Sequence, residues 1–322
     1  MRGKPPVFDF YDKASLKSYN LSENMRYQLN MLDTLDVFTR KHCENVASIT
    51  CRLCEYLHCR KGFTEFCTIG AYLHDIGKLY IPPEILQKPG KLTEEEFETM
   101  KTHTTLGYEV LMKDPQLRPY AHFALSHHEG LNGTGYPQGL TKKEIPYEVQ
   151  IVSVADEFDA IVSKRQYKTH IGISDTLKIL IENSHPNPNE KNIEQDKSVA
   201  LNEMRNLAKL GKLNPAIVKV LFKVVSDDIG YEISFRESYI FDLKDELKRL
   251  DEIKKYRDKM NKTSNEKQKN YFLEYIKTYL KPEENLENFD QLYIEYKEAY
   301  ENRKNEIDNL YKELKTIKKL KV

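Results

Sequence analysis

The 322-residue chain lacks any run of apolar residues long enough to cross a bilayer, and Met1 to Asp12 hold no continuous apolar signal segment. A membrane-spanning or secreted protein is therefore not expected, and a cytoplasmic one is. Net charge is missing as well. Fifty Lys+Arg against fifty Asp+Glu give +0, so there is no broad positive field to capture a nucleic-acid polymer. An anionic ligand has to be held by local charges. Cysteine is sparse and odd in number: Cys43, Cys51, Cys54, Cys59 and Cys67. Cys51-x-x-Cys54 has no second pair at zinc-site distance, so the five read as small packed thiols. Alternating strand patterns and internal repeats are also absent, which argues against β and solenoid architectures.

Helical periodicity is what remains. Apolar positions recur at Leu35, Phe38, Val46, Ile49 and Leu53, and His42 falls on that stripe. A second helix is expected from about Glu65 to Ile76, stopped by Gly77, with His74-Asp75 in its last turn. Pro82-Pro83 and Pro89-Gly90 mark turns. Thr93 and Glu96 form a capping box opening one helix whose inner stripe reads Phe97, Met100, His103, Gly107 and Leu111. A further helix from about Leu117 ends in His127-His128-Glu129. Gly130, Gly133, Gly135 and Gly139 then make a loop whose backbone can approach a ligand closely. The helix from Pro146 through Val162 is apolar on nearly all sides yet carries Asp156 and Asp159, which need a partner, a metal or a raised pKa. Ser184 to Asp196 reads as a polar inserted loop, and Ala216 to Val225 as a short apolar helix. Beyond Gly230 come helices marked by Leu243, Leu247, Leu250 and Ile253, by Phe272, Ile276 and Tyr279, and by a seam from Phe289 to Ile317. That seam fits either a coiled coil, which would make a homodimer, or a hairpin packed on its own chain. The expected fold class is all-α, with residues 1–30 an N-terminal segment, 31–230 a helical domain and 231–322 a helical extension.

Histidine is scarce, nine in all, yet five of the nine join two aspartates in one series: His42, His74-Asp75, His103, His127-His128 and Asp156. Imidazole with carboxylate is the donor mixture of a first-row transition-metal site. A single histidine on an apolar stripe is more often a hydrogen-bonded core residue. Seven such groups buried without a metal, however, would leave many polar atoms needing partners, each costing about 1–3 kcal/mol if unmet. The adjacent pairs suggest more than one ion.

The words around these residues are His74 to Lys78 (HDIGK), Lys101 to Leu111 (KTHTTLGYEVL), His127 to Pro137 (HHEGLNGTGYP), Val154 to Asp159 (VADEFD) and Arg165 to Lys168 (RQYK), with His42-x-x-x-Val46-Ala47 and Pro82 to Lys91 ahead of them or between them. Together they closely resemble the HD-GYP family, the cyclic-dinucleotide phosphodiesterase branch of the HD phosphohydrolases, over roughly residues 30 to 228. The resemblance implies an HD-type helical bundle. It implies two divalent metal ions, iron or manganese, held by His42, His74, Asp75, His103, His127, His128 and Asp156, with Asp75 as the bridging carboxylate. It implies hydrolysis of cyclic di-GMP to pGpG or GMP by a metal-bridging hydroxide. Lys78 would contact phosphate and stabilise the leaving group, Arg165 and Lys168 would grip phosphate, and Tyr136 would stack on guanine or bond a phosphate.

Three departures qualify the match. Asn132 stands where the family has Asp, and Gln166 where it has Pro. Phe38, one turn before His42, cannot supply the third-metal carboxylate of some members, so two metals are expected. Another cyclic dinucleotide such as cyclic GMP-AMP remains open as the substrate. So does a non-catalytic nucleotide-binding module that works through its tail. No sensory domain is expected before residue 30.

Overall fold

The computed structural model describes residues 35–88, 90–164, 197–282 and 284–320. Arg165, Gln166, Lys168 and the expected loop from Ser184 to Asp196 lie outside the described residues. Among those described there is no β-strand, only an isolated bridge between Asn132 and Thr141. The all-α expectation holds. No described helix is long and apolar enough to cross a membrane.

The chain divides into two compact units, one up to Val224 and one from Val225 to Lys319. In the first, α1 (Val37–Tyr56) packs on α2 (Lys61–Leu73) and on α7 (Tyr147–Lys164). Asp36 caps α1 by accepting from the amides of Phe38 and Thr39. The far end closes on His58 in the left-handed region, with the Cys59 amide bonded back to Cys54 carbonyl. Helix α7 buries Val149, Ile151, Val152, Val154 and Ala155 and touches α1, α2, α6 and α8. Its apolar circumference is that of a central helix.

Several expected boundaries move. Helix α2 starts at Lys61 and ends at Leu73, and Gly77 does not stop it. Gly77 lies inside a 3-10 segment, Ile76–Tyr80, where a Cβ would come 1.9 Å from the His103 carbonyl oxygen. The glycine is there for close packing against the next helix, a requirement that sequence spacing does not encode. Pro83 opens a four-residue helix, α3 (Pro83–Leu86). The capping box of Thr93 and Glu96 forms, but the helix it opens is α4 (Glu94–Lys101) only. The chain bends at Thr102 and resumes as α5 (His103–Lys113). Phe97 therefore leaves the inner stripe and is 44% exposed. A 3-10 turn, Arg118–Tyr120, precedes α6 (Ala121–Ser126).

Helix α8 (Lys197–Lys209) completes this unit with the start of α9 (Pro215–Lys262). The short helix expected at Ala216–Val225 is the beginning of that 48-residue element. It runs through Gly230, whose helical cost is only about 1 kcal/mol and is outweighed by its neighbours. In the second unit, α9 is joined by α10 (Glu266–Lys277) and α11 (Phe289–Lys319). Leu250, Ile253, Ile276 and Phe289 form its core. The pairs Glu237–Tyr311, Asp251–Tyr293 and Arg257–Asp290 run α11 antiparallel to α9. Seam residues Ile307, Leu310 and Ile317 are buried within the single chain.

Candidate metal centre

The seven histidines and aspartates converge from five places. His42 comes from the middle of α1, and His74-Asp75 from the turn after α2. His103 opens α5, His127-His128 follow α6, and Asp156 sits on α7. His74, Asp75, His103, His127 and Asp156 are buried. Three overlapping sets of donor atoms lie within 4.8 Å of one another: His42/His74/Asp75, His74/His127/Asp156 and His103/His127/His128.

The main chain fixes how three of the rings face. Nδ1 of His74 lies 2.6 Å from the Ala71 carbonyl and Nδ1 of His103 2.7 Å from that of Met100. Nδ1 of His127 lies 3.0 Å from the carbonyls of Phe123 and Ala124. A carbonyl only accepts, so each Nδ1 carries a proton and each ring turns its Nε2 inward, the nitrogen that is a bare lone pair in the neutral imidazole. Two of these lone pairs, on His103 and His127, stand 3.3 Å apart. Asp75 Oδ1 is 3.4 and 3.7 Å from them. None of these three atoms has a proton to share, so they repel unless a cation joins them. Asp75 Oδ1 and His74 Nε2 are buried and have no hydrogen-bond partner. Orphaned acceptors of this kind are the signature of a ligand sphere rather than of a hydrogen-bonded core. The residues fit divalent metal.

Asp75 faces both ways. Its Oδ1 meets His103 and His127, while its Oδ2 lies 3.6 Å from His42 Nε2, 3.4 Å from His74 Nε2 and 2.5 Å from Lys78 Nζ. Asp156 Oδ1 lies 3.0 Å from His42 Nε2 and 3.7 Å from His74 Nε2, and its Oδ2 3.7 Å from His128 Nδ1.

From the protein's own groups, burial drives His103 and His127 below the usual histidine range, and His128 down to about 3. Neutral rings ready to donate are the result. Burial also opposes charge on His42, but hydrogen bonds to Asp156 and Asp159, helped by the Asp75 charge, push it up to about 10. Burial would raise Asp75, yet Lys78 and the surrounding histidines hold it well below the carboxylate range. Asp156 is held low against burial by His42, His74 and His128.

Two contributors escaped assignment from sequence. Asp159 accepts from His42 Nδ1 at 2.7 Å and from Asn45 Nδ2 at 3.0 Å, which fixes the ring so that Nε2 points at Asp75 and Asp156. A second carboxylate three residues beyond Asp156 on an apolar helix was the available signal. Glu129, buried beside the histidine pair, accepts from the amides of Gln138 and Leu140 and clasps the glycine loop. At Gly135 a Cβ would fall 2.2 Å from Gly130 N, so the loop closes on itself only with glycine there. Asn132 accepts from the Thr134 amide and hydroxyl and donates to the Leu210 carbonyl at 3.0 Å. An aspartate could not make that last bond, so the Asn132 departure adds an anchor as well as removing a charge. The Tyr136 ring packs tilted at 34° against that of His128, with centroids 4.9 Å apart. Phe38 is 53% exposed.

Residues 26–186 match the HD domain family, half of the chain, and the chain belongs to that family. Within it, the motif words are those of the HD-GYP branch. The chain is 48% identical over 143 residues to a cyclic di-GMP phosphodiesterase of Thermotoga maritima, covering 44% of this chain and 39% of that protein. It is 42% identical over 132 residues to the cyclic di-GMP phosphodiesterase response regulator RpfG of Xanthomonas campestris, covering 40% and 35%. It is 36% identical over 155 residues to a 3′3′-cGAMP-specific phosphodiesterase of Vibrio cholerae, covering 48% and 34%. The aligned part spans less than half the length of each relative.

Proposed function

We propose that this chain is a metal-dependent phosphodiesterase that opens cyclic di-GMP to pGpG or GMP in the cytoplasm. The observation that carries the reading is the inward-facing set of His103 Nε2, His127 Nε2 and Asp75 Oδ1, crowded within 3.7 Å as a divalent cation would require. His42, His74, Asp75 and Asp156 would hold one divalent ion, and Asp75, His103, His127 and His128 the other, Asp75 being the residue the two would share. Phe38 offers no third carboxylate, so the count is two. Bound there, iron or manganese supplies a strong nucleophile from water at neutral pH and neutralises charge on the phosphoryl oxygens. The protein's own part is to place the phosphodiester. Lys78, now on Asp75 Oδ2, is within reach of a phosphate beside it and would stabilise the departing oxygen. Tyr136 packs against His128, and Arg165 and Lys168, outside the described residues, would add the phosphate grip that the motif resemblance implies.

The relatives include enzymes named for cyclic di-GMP and for 3′3′-cGAMP, so the substrate panel should hold both. The full chain, loaded anaerobically with iron(II) or manganese(II), is expected to convert cyclic di-GMP to pGpG or GMP, read by chromatography. Asp75→Ala should lose the metal and at least about a thousandfold of the rate. Protein with two equivalents of metal and no turnover of any cyclic dinucleotide would overturn the reading, and turnover confined to cyclic GMP-AMP would change its substrate.

A further inference from the structure

Helix α4 is an unusual host for an aromatic residue. It is eight residues long, opens with three glutamates and buries none of its side chains. Its capping box and the ion pair from Lys88 to Glu96 hold its first turn in place without any help from an apolar face. Phe97 is thus not needed to dock the helix, and it stays 44% exposed. What it touches is Tyr136. The two rings stand 6.3 Å apart at 79°, making a corner. Lys101, one turn further along α4, places its ammonium 5.0 Å from the Phe97 centroid and 5.6 Å from that of Tyr136, while its Nζ bonds Glu98 at 2.6 Å. Tyr136 in turn lies on His128, whose Nδ1 faces Asp156.

His128, Tyr136 and Phe97 are therefore three rings in series leading outward from the candidate metal centre, with a lysine over the outer two. A phosphodiester at the centre carries its nucleoside outward along some such path. An aromatic corner with a cation beside it is what a purine base stacks on, because the ring face supplies area and a cation meets the electron-rich heterocycle. We infer that Phe97 and Tyr136, with Lys101, form the base-stacking corner for one purine of the substrate, Phe97 being its outer wall. This rests on the phosphodiesterase reading above and adds a residue that touches the base rather than the reacting phosphate.

The test separates base from phosphate. Phe97→Ala and Phe97→Trp are assayed with cyclic di-GMP as substrate and with inorganic phosphate as competitive inhibitor, which has no base to stack. The expected result for Phe97→Ala is a KM about tenfold higher, the worth of one stacked base. Its kcat should stay within about twofold and its phosphate Ki should be unchanged, the pattern of lost uniform binding. Phe97→Trp should restore KM. Unchanged KM in Phe97→Ala overturns the inference while leaving the phosphodiesterase reading in place. So does a parallel loss of kcat, KM and phosphate affinity without rescue by Trp, which would make Phe97 a support of the fold. Wild-type protein that binds phosphate at its metals but turns over no cyclic dinucleotide overturns both.

Discussion

The two units handle polar groups in opposite ways. In the first, histidines and carboxylates are buried, aimed at one another and short of protons, with Asp75 Oδ1 and His74 Nε2 left unmatched. In the second, the Arg249–Glu284 pair is covered, but pairs such as Lys248–Asp245 and Lys255–Glu252, each three residues apart, sit largely solvated on the surface of the hairpin. Pairs of the second kind contribute little to stability, being screened by solvent, and carry no chemical message. Groups of the first kind cost stability unless something binds them, so their presence points to a ligand. The same contrast appears in the glycines: Gly77 is wedged against backbone, whereas Gly230 meets nothing within 4 Å.

That contrast can be broken by experiment. Gly77→Ala should be the most disruptive change, costing about 3 kcal/mol by denaturant midpoint because α5 and the His103 carbonyl must move; a neutral result would mean the close approach is not rigid. Asp159→Asn keeps an acceptor for His42 Nδ1 but removes the charge, and should weaken metal binding by roughly 10–100-fold in a competitive chelator titration. Gly230→Ala, at the other extreme, should stabilise the protein by about 0.5–1 kcal/mol, since open space surrounds a mid-helix position.

The pH dependence sharpens the comparison further. His42, raised to about 10, is protonated at neutral pH in metal-free protein. Its contribution to stability is complete below about 6.5, the unfolded value, and fades as pH rises through about 10. His103, His127 and His128 are lowered, so the unfolded chain takes up protons more readily, and stability falls as pH drops below about 6.5. A metal bound through His42 Nε2 would displace its proton. Loading at pH 7 should therefore release at least about one proton, from His42, in addition to any from metal-bound water, measured by calorimetry in buffers of different ionisation enthalpy. Loading with no proton released would show that His42 is neutral or not a ligand.

Much of this was legible in the chain. The helices around His42 and Asp156, the capping box at Thr93 and the glycine loop after His128 all follow from local rules, because caps, periodicity and turn residues act over a few positions. The end of α2, the bend at Thr102 and the length of α9 did not, since each is decided by contacts with distant segments. Gly77 is the clearest case. By sequence it is a helix stop, and in space it is a contact with His103, twenty-six residues away. Phe97 is the reverse: in phase with an inner stripe, it is turned out toward Tyr136 once the helix breaks.

The sequence alone determined the series of seven histidines and aspartates, the all-α class and the family, because residue type and order carry those directly. Only the tertiary structure decided which nitrogen of each ring is free, that Asp75 divides its two oxygens between the histidine groups, and that Asp159 holds His42. Those depend on which carbonyl or carboxylate stands within hydrogen-bonding distance, and no local pattern records a contact between α1 and α7, 117 residues apart.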